Sequence, residues 1–272
     1  MPANTHTECQ KKRNWAAGAG ARLLSAVYPR RCPVCDGILT EQEPYLCRKC
    51  AVAVSFIRGP VCMKCGAPLR EQWTGGEKSS AVTGSRDLEN FPLETEELCP
   101  RCKNGTHLFV QGFAPFLYRG EIRSSLVRMK YGHRAEYAHF YGKAMAVYGK
   151  PWLDRWEPSL VVPVPVHPGR ERKRGYNQAA ELARELGKNI DVPVLENAVV
   201  RTKQTKPQKE LTKEMRRRNL HGAFQVKAGR PLPLRILVVD DIFTTGATVD
   251  EMTRTLLRSG AREVYVACAS ID

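Results

Sequence analysis

Eight of the ten cysteines in this 272-residue chain form four Cys-x-x-Cys pairs: Cys32/Cys35, Cys47/Cys50, Cys62/Cys65 and Cys99/Cys102. Two thiolates at that spacing grip one metal ion from a tight turn, and two such turns complete a tetrahedral four-cysteine zinc site. Eight sulfurs therefore predict about two zinc ions. Sequential pairing and interleaved pairing, first with third and second with fourth, both satisfy the spacing. A redox site of the thioredoxin kind needs one such pair, not four in series. Four thiolates per ion leave no open coordination position, so the zinc is expected to be structural and the chemistry to lie elsewhere. Thiols kept for metal also place the chain in a reducing, cytoplasmic setting.

The cysteine pairs divide the chain. Residues 1–29 read as a polar tail and a short helix carrying Trp15, Leu23, Leu24, Val27 and Tyr28 on one face. Residues 30–105 form the double zinc ribbon, interrupted at 70–98 by a stretch rich in Gly and Ser that reads as a flexible insertion. From residue 106 to 272 the pattern becomes alternating strands and helices. Strands are expected at 109–118, 159–166, 236–241 and 264–270, and helices at 121–131, 135–147, 177–190 and 248–259. Apolar runs such as 160–164 and 236–239 fit strands buried on both faces, which argues for a parallel α/β sheet. No apolar run approaches the ~20 residues that span a bilayer. The leftover Cys268 sits in one such run and is expected in a core, while Cys9 lies in the tail.

The sharpest chemical signal is ILVVDDIFTTGAT at residues 236–248. A parallel strand delivers Asp240 and Asp241 to the carboxyl edge of the sheet, where α/β proteins bind ligands. The following turn leads into a helix. Its backbone N–H groups, the freedom of Gly246 and the hydroxyls of Thr244, Thr245 and Thr248 suit a phosphate. Two acids beside a phosphate would repel it unless a ribose or a metal ion lay between.

Charge points the same way. The chain holds 43 Lys plus Arg against 28 Asp plus Glu, a formal net charge of +15. Residues 170–174 hold four basic side chains and one acidic, and 201–218 hold eight basic and two acidic. Such a surface suits diphosphates and nucleic acids alike.

The run at 236–248 resembles the motif with which type I phosphoribosyltransferases bind 5-phosphoribosyl 1-diphosphate (PRPP). With VVPVPVHPGRERKRGYNQAAELA at 161–183 and RTKQTKPQKELTKEMRRRNLHGAF at 201–224, the chain over roughly 28–270 is similar to the ComF family of competence-associated proteins. The resemblance implies an α/β fold: a parallel-sheet, type I phosphoribosyltransferase-like domain preceded by a small zinc-ribbon module. It implies that Asp240 and Asp241 meet the ribose hydroxyls, and that Thr244, Thr245, Gly246, Ala247 and Thr248 hold the 5′-phosphate. Arg170, Arg172, Lys173, Arg174, Gly175, Asn177 and Gln178 would form the pyrophosphate loop, with magnesium accompanying PRPP. Lys206, Gln208, Arg216, Arg217 and Arg218 would belong to a mobile loop that closes over the substrate.

Implied partners are PRPP or a nucleotide, single-stranded DNA arriving by natural transformation, and a DNA-uptake helicase. Two departures bear on catalysis. Thr244 stands where purine-salvage transferases place a carboxylate. Pro2 follows Met1, so the amino-terminal cysteine of a glutamine-dependent transferase is missing. Three readings follow: a transferase acting on an unidentified nitrogen acceptor in nucleotide metabolism, a PRPP or nucleotide binder without turnover, and a nucleic-acid-binding protein.

Overall fold

The computed structural model describes residues 29–69, 97–105, 107–203, 215, 219–227 and 232–272. The expected amino-terminal helix, nearly all of the insertion at 70–98, and Lys206, Gln208, Arg216, Arg217 and Arg218 lie outside the described residues.

Among the described residues, the ribbon region is built from knuckles and two short helices, α1 (Arg48–Ala53) and α2 (Pro100–Lys103). Beyond it run β1 (Gly112–Phe113), β2 (Phe116–Leu117), α3 (Gly120–Tyr131), α4 (Ala138–Trp156), β3 (Leu160–Pro163), α5 (Pro168–Arg174) and α6 (Gln178–Ile190). Among the described residues there follow β4 (Val199–Arg201), β5 (Phe224–Val226), β6 (Arg235–Phe243), α7 (Ala247–Arg258) and β7 (Glu263–Ile271). The main sheet is parallel throughout. β7 lies between β6 and the β1/β2 pair, and β3 flanks β6 on the far side. A second, antiparallel pair joins β4 to β5.

The hydrophobic runs explain this order. Ile236 to Val239 of β6 and Val264 to Cys268 of β7 are almost fully buried, as central strands covered on both faces must be. Helices α4 and α6 cover the sheet and approach each other at Gly142, where a Cβ would lie 2.3 Å from the Cβ of Glu185. Any side chain there would force the helices apart. The aromatic residues Phe113, Trp152 and Trp156 stack beside Tyr265 to fill the layer between α4 and the sheet. Cys268 is buried in β7, as its apolar run predicts.

The helix expected at 135–147 runs instead from Ala138 to Trp156, the β4–β5 pair has no counterpart in the sequence pattern, and two further elements depart from it. The strand expected at 109–118 is split into β1 and β2 at Ala114–Pro115. Proline brings no N–H to the ladder, and the Pro115 carbonyl instead accepts a 2.8 Å bond from the N–H of Ile57, tying the ribbon to the sheet. The basic segment expected as a loop is the helix α5. It is capped by the side chain of His167 and closed by Gly175 at φ 85°.

Candidate functional site

The two metal sites are formed by consecutive pairs. The Sγ atoms of Cys32, Cys35, Cys47 and Cys50 lie within 4.8 Å of one another, as do those of Cys62, Cys65, Cys99 and Cys102. Sequential pairing is therefore the arrangement adopted. Cys35 and Cys47 are 3.7 Å apart, and so are Cys65 and Cys99. A tetrahedral ion with Zn–S bonds of about 2.3 Å sets its sulfurs roughly 3.8 Å apart, so both tetrads fit structural zinc.

The hydrogen bond from Cys65 pulls Cys62 down to about 4, while burial pushes Cys102 up to about 12. A bound dication removes that conflict by accepting all four as thiolates. Elemental analysis of the reduced protein should give about two zinc ions per chain, and Cys35→Ser should lose one while the α/β sheet stays folded, since each site contributes folding energy locally. Well-folded, zinc-free protein would refute this.

The first tetrad docks on α3 and the turn after it. Arg128 donates to the carbonyls of Pro33 and Val34 within the knuckle, and the Tyr137 hydroxyl donates to Asp36. Two residues past Arg128, Lys130 reaches the carboxyl end of β6 and places its ammonium 2.8 Å from Asp241 Oδ2.

There the strand presents both acids. The N–H of Asp241 donates to Asp240 Oδ1 at 2.8 Å. Loss of solvent, followed by the charge of Asp241, pushes the Asp240 carboxyl up to about 7, opposed by Lys130 and Arg201. Arg201, buried in β4 with its guanidinium over the Phe224 ring, is itself drawn down to about 10 by burial and by Arg170. Lys130 and Arg201 thus act electrostatically on one acidic pair, with Arg170 beside Arg201.

Residues 244–247 turn from β6 into α7. Gly246 has φ 76°, a conformation open to glycine, and a Cβ there would strike the ring of His107 at 2.4 Å. The Oγ1 of Thr245 is buried and has no hydrogen-bond partner among the described residues. A buried hydroxyl without a partner is costly in a finished core and suits a place that a polar ligand completes. Ala247 begins the helix, so the first N–H groups of α7 face this turn.

The basic segment divides by role. Arg170 is half-buried, Arg172 and Lys173 are exposed, and Arg174 lies over the Tyr131 ring at 5.1 Å while donating to Gln178 Oε1 at 3.0 Å. Gly175 ends α5. Asn177 is buried, donating to the Val164 carbonyl and accepting from the N–H of Ala179, so it caps α6. Gln178 is buried beside it.

Sequence reasoning missed Lys130, since nothing in the helix around it marks a ligand. It also missed Arg101 and His107, which touch the turn from the ribbon side. Arg201 was visible only as the first residue of a basic stretch.

Comparison with known proteins agrees with this architecture. Residues 23–83 match the model of a double zinc ribbon domain, and residues 172–270 that of a phosphoribosyl transferase domain. The chain is 32% identical over 231 residues to the DNA utilization protein YhgH of Escherichia coli K12, covering 83% of this chain and 96% of that protein. It is 25% identical over 224 residues to Competence protein ComFC of Bacillus subtilis, covering 82% of each. Competence protein F of Haemophilus influenzae is 39% identical over 111 residues, 40% of this chain and 48% of that protein's length. With both modules in the same order and a match running through nearly the whole of the YhgH protein, the chain belongs to the ComF family of double zinc ribbon and phosphoribosyltransferase-domain proteins.

Proposed function

We propose that the carboxyl edge of β6 binds PRPP or a related nucleotide, and that the protein serves DNA uptake in the cytoplasm. The observation that carries the ligand is the juxtaposition of Asp240 and Asp241 with a turn holding a buried Thr245 hydroxyl that has no partner among the described residues. In this reading the two carboxylates accept hydrogen bonds from the ribose hydroxyls, and the hydroxyl and N–H groups of residues 244–248 hold the 5′-phosphate. Arg170, Arg172 and Lys173 lie toward the diphosphate. Magnesium, carried in with the diphosphate, offsets its charge.

The role in DNA uptake rests on the relatives named for competence and DNA utilization. The exposed Arg172 and Lys173 add a basic surface that can follow a single strand. No helix among the described residues is long and apolar enough to cross a membrane.

Calorimetric titration with magnesium PRPP, combined with assay of pyrophosphate release across candidate nitrogen bases, tests the ligand. Saturable binding without release supports binding alone, release shows a transferase, and no binding refutes the site. For DNA, log affinity should fall with log salt at about −0.7 per neutralised phosphate of a single strand. Replacing Arg170, Arg172 and Lys173 together by Gln should make that slope shallower by about two if all three meet the backbone. An unchanged slope would remove α5 from the DNA surface.

A further inference from the structure

We infer that the second cysteine tetrad braces the phosphate turn, with Arg101 and His107 as positioning residues that hold residues 244–247 ready for ligand. The inference rests on the reading of that turn as the 5′-phosphate site. Arg101 lies between Cys99 and Cys102, on the knuckle itself, and its Nη1 donates to the carbonyl of Thr244 at 2.8 Å. The turn is thereby fastened at its first residue by a group 143 positions earlier in the chain.

A second fastening acts on the helix side. The ring of His107 fills the space beneath Gly246, stacks on Phe109 and meets Phe243 edge-on. Its Nδ1 donates to Asp250 Oδ2 at 2.8 Å, and the N–H of Leu108 donates to Asp250 Oδ1 at 3.1 Å. Asp250 stands in the first turn of α7, so the helix start cannot move without breaking both bonds.

The other knuckle of the same tetrad is anchored alongside. The carbonyl of Lys64, between Cys62 and Cys65, accepts from the N–H of Gly112 at 2.8 Å, and its ammonium lies over the Phe109 ring. Both knuckles therefore hold the patch that carries His107.

The unfilled Thr245 hydroxyl explains why a brace is useful. A buried hydroxyl with no partner among the described residues does nothing to hold the turn, so contacts from outside it help to fix its shape. Imposing it before the ligand arrives removes the ordering cost from binding. The brace acts at the 5′-phosphate end only. The diphosphate end belongs to α5, which neither Arg101 nor His107 touches.

The test uses the full, zinc-loaded chain carrying Arg101→Gln, with ribose 5-phosphate and magnesium pyrophosphate as separate probes. Arg101→Gln should keep its zinc, bind ribose 5-phosphate about tenfold more weakly, as expected for a lost hydrogen bond from a charged donor, and bind magnesium pyrophosphate as before. Hydrogen exchange at residues 244–249 should quicken. Arg101→Lys should restore part of both, Lys103→Gln on the same knuckle should change neither, and Asp250→Asn should reproduce the loss.

Equal weakening of both probes would show general loosening, and loss of zinc would show that Arg101 serves the tetrad; either overturns the inference. So would unchanged exchange in Arg101→Gln. If the natural protein fails to bind ribose 5-phosphate, the phosphate-site reading falls, while the exchange measurement still decides the brace.

Discussion

Replacing Asp240 by Asn should weaken magnesium PRPP binding by roughly 10- to 100-fold, the size of a lost hydrogen bond to a charged acceptor, and at the same time stabilise the free protein. The two effects have one origin. The carboxyl is pushed up from its ordinary value of 3.8 to about 7 by loss of solvent and by the neighbouring Asp241. An acid raised on folding holds its proton more tightly in the native state. As pH climbs from 4 to 7 the unfolded chain releases that proton first, so native stability falls across this window and the loss is complete above it.

An amide in place of the Asp240 carboxyl carries no charge and escapes the penalty. The gain from the substitution should thus be absent near pH 4, grow toward pH 7 and level off at a magnitude on the order of 2–4 kcal/mol. Thermal unfolding at pH 4, 6 and 8 reads it directly. Ligand affinity of the natural protein should run the other way, rising by about tenfold from pH 6 to pH 8 as Asp240 becomes the charged acceptor. A variant destabilised at pH 8, or one that binds PRPP normally, would leave residues 240–246 as an ordinary capped turn.

How much of this could be read in advance follows from how local each feature is. The cysteine pairs and residues 236–248 were legible because each carries its chemistry within a few positions. The pairing of the tetrads was not, since two connections fit one spacing and only the folded ribbon chooses between them. The basic helix was hidden by its charge, although Pro168 at its first position and Gly175 just past its end are the asymmetric signals of a helix. Asn177, directly before the amphipathic run 178–190, carries the mark of an N-cap, and it caps α6. Lys130, Arg101 and His107 left no trace in the sequence because their partners Asp241, Thr244 and Asp250 lie more than a hundred residues away. Tertiary packing alone brings them to the site.

The last consequence concerns Lys130, whose ammonium balances the acidic pair from α3. Lys130→Met keeps the length and packing of the stem but leaves Asp240 and Asp241 beside each other, with Arg201 still acting on Asp240. Removing one partner of a largely buried ion pair typically costs about 3–5 kcal/mol, because the charge left behind has lost both water and counter-ion. Here the cost should depend on pH. Protonation of Asp240 relieves its repulsion with Asp241 but does not replace the counter-ion that Asp241 has lost, so the substitution should cost less near pH 5 than at pH 8, the sign expected when an already raised carboxyl is raised further.

Adding Asp241→Asn to Lys130→Met should recover much of the stability, since the pair is then removed together, and the double-mutant cycle measures their coupling. Arg128, two residues earlier, holds the first cysteine tetrad, so a merely structural collapse of α3 would also release one zinc ion. Retention of both zinc ions with a steep, pH-dependent loss of stability is the expected result. A pH-independent loss would mean that Lys130 matters only for packing, and that the acids are balanced by Arg201 from the other side of the site.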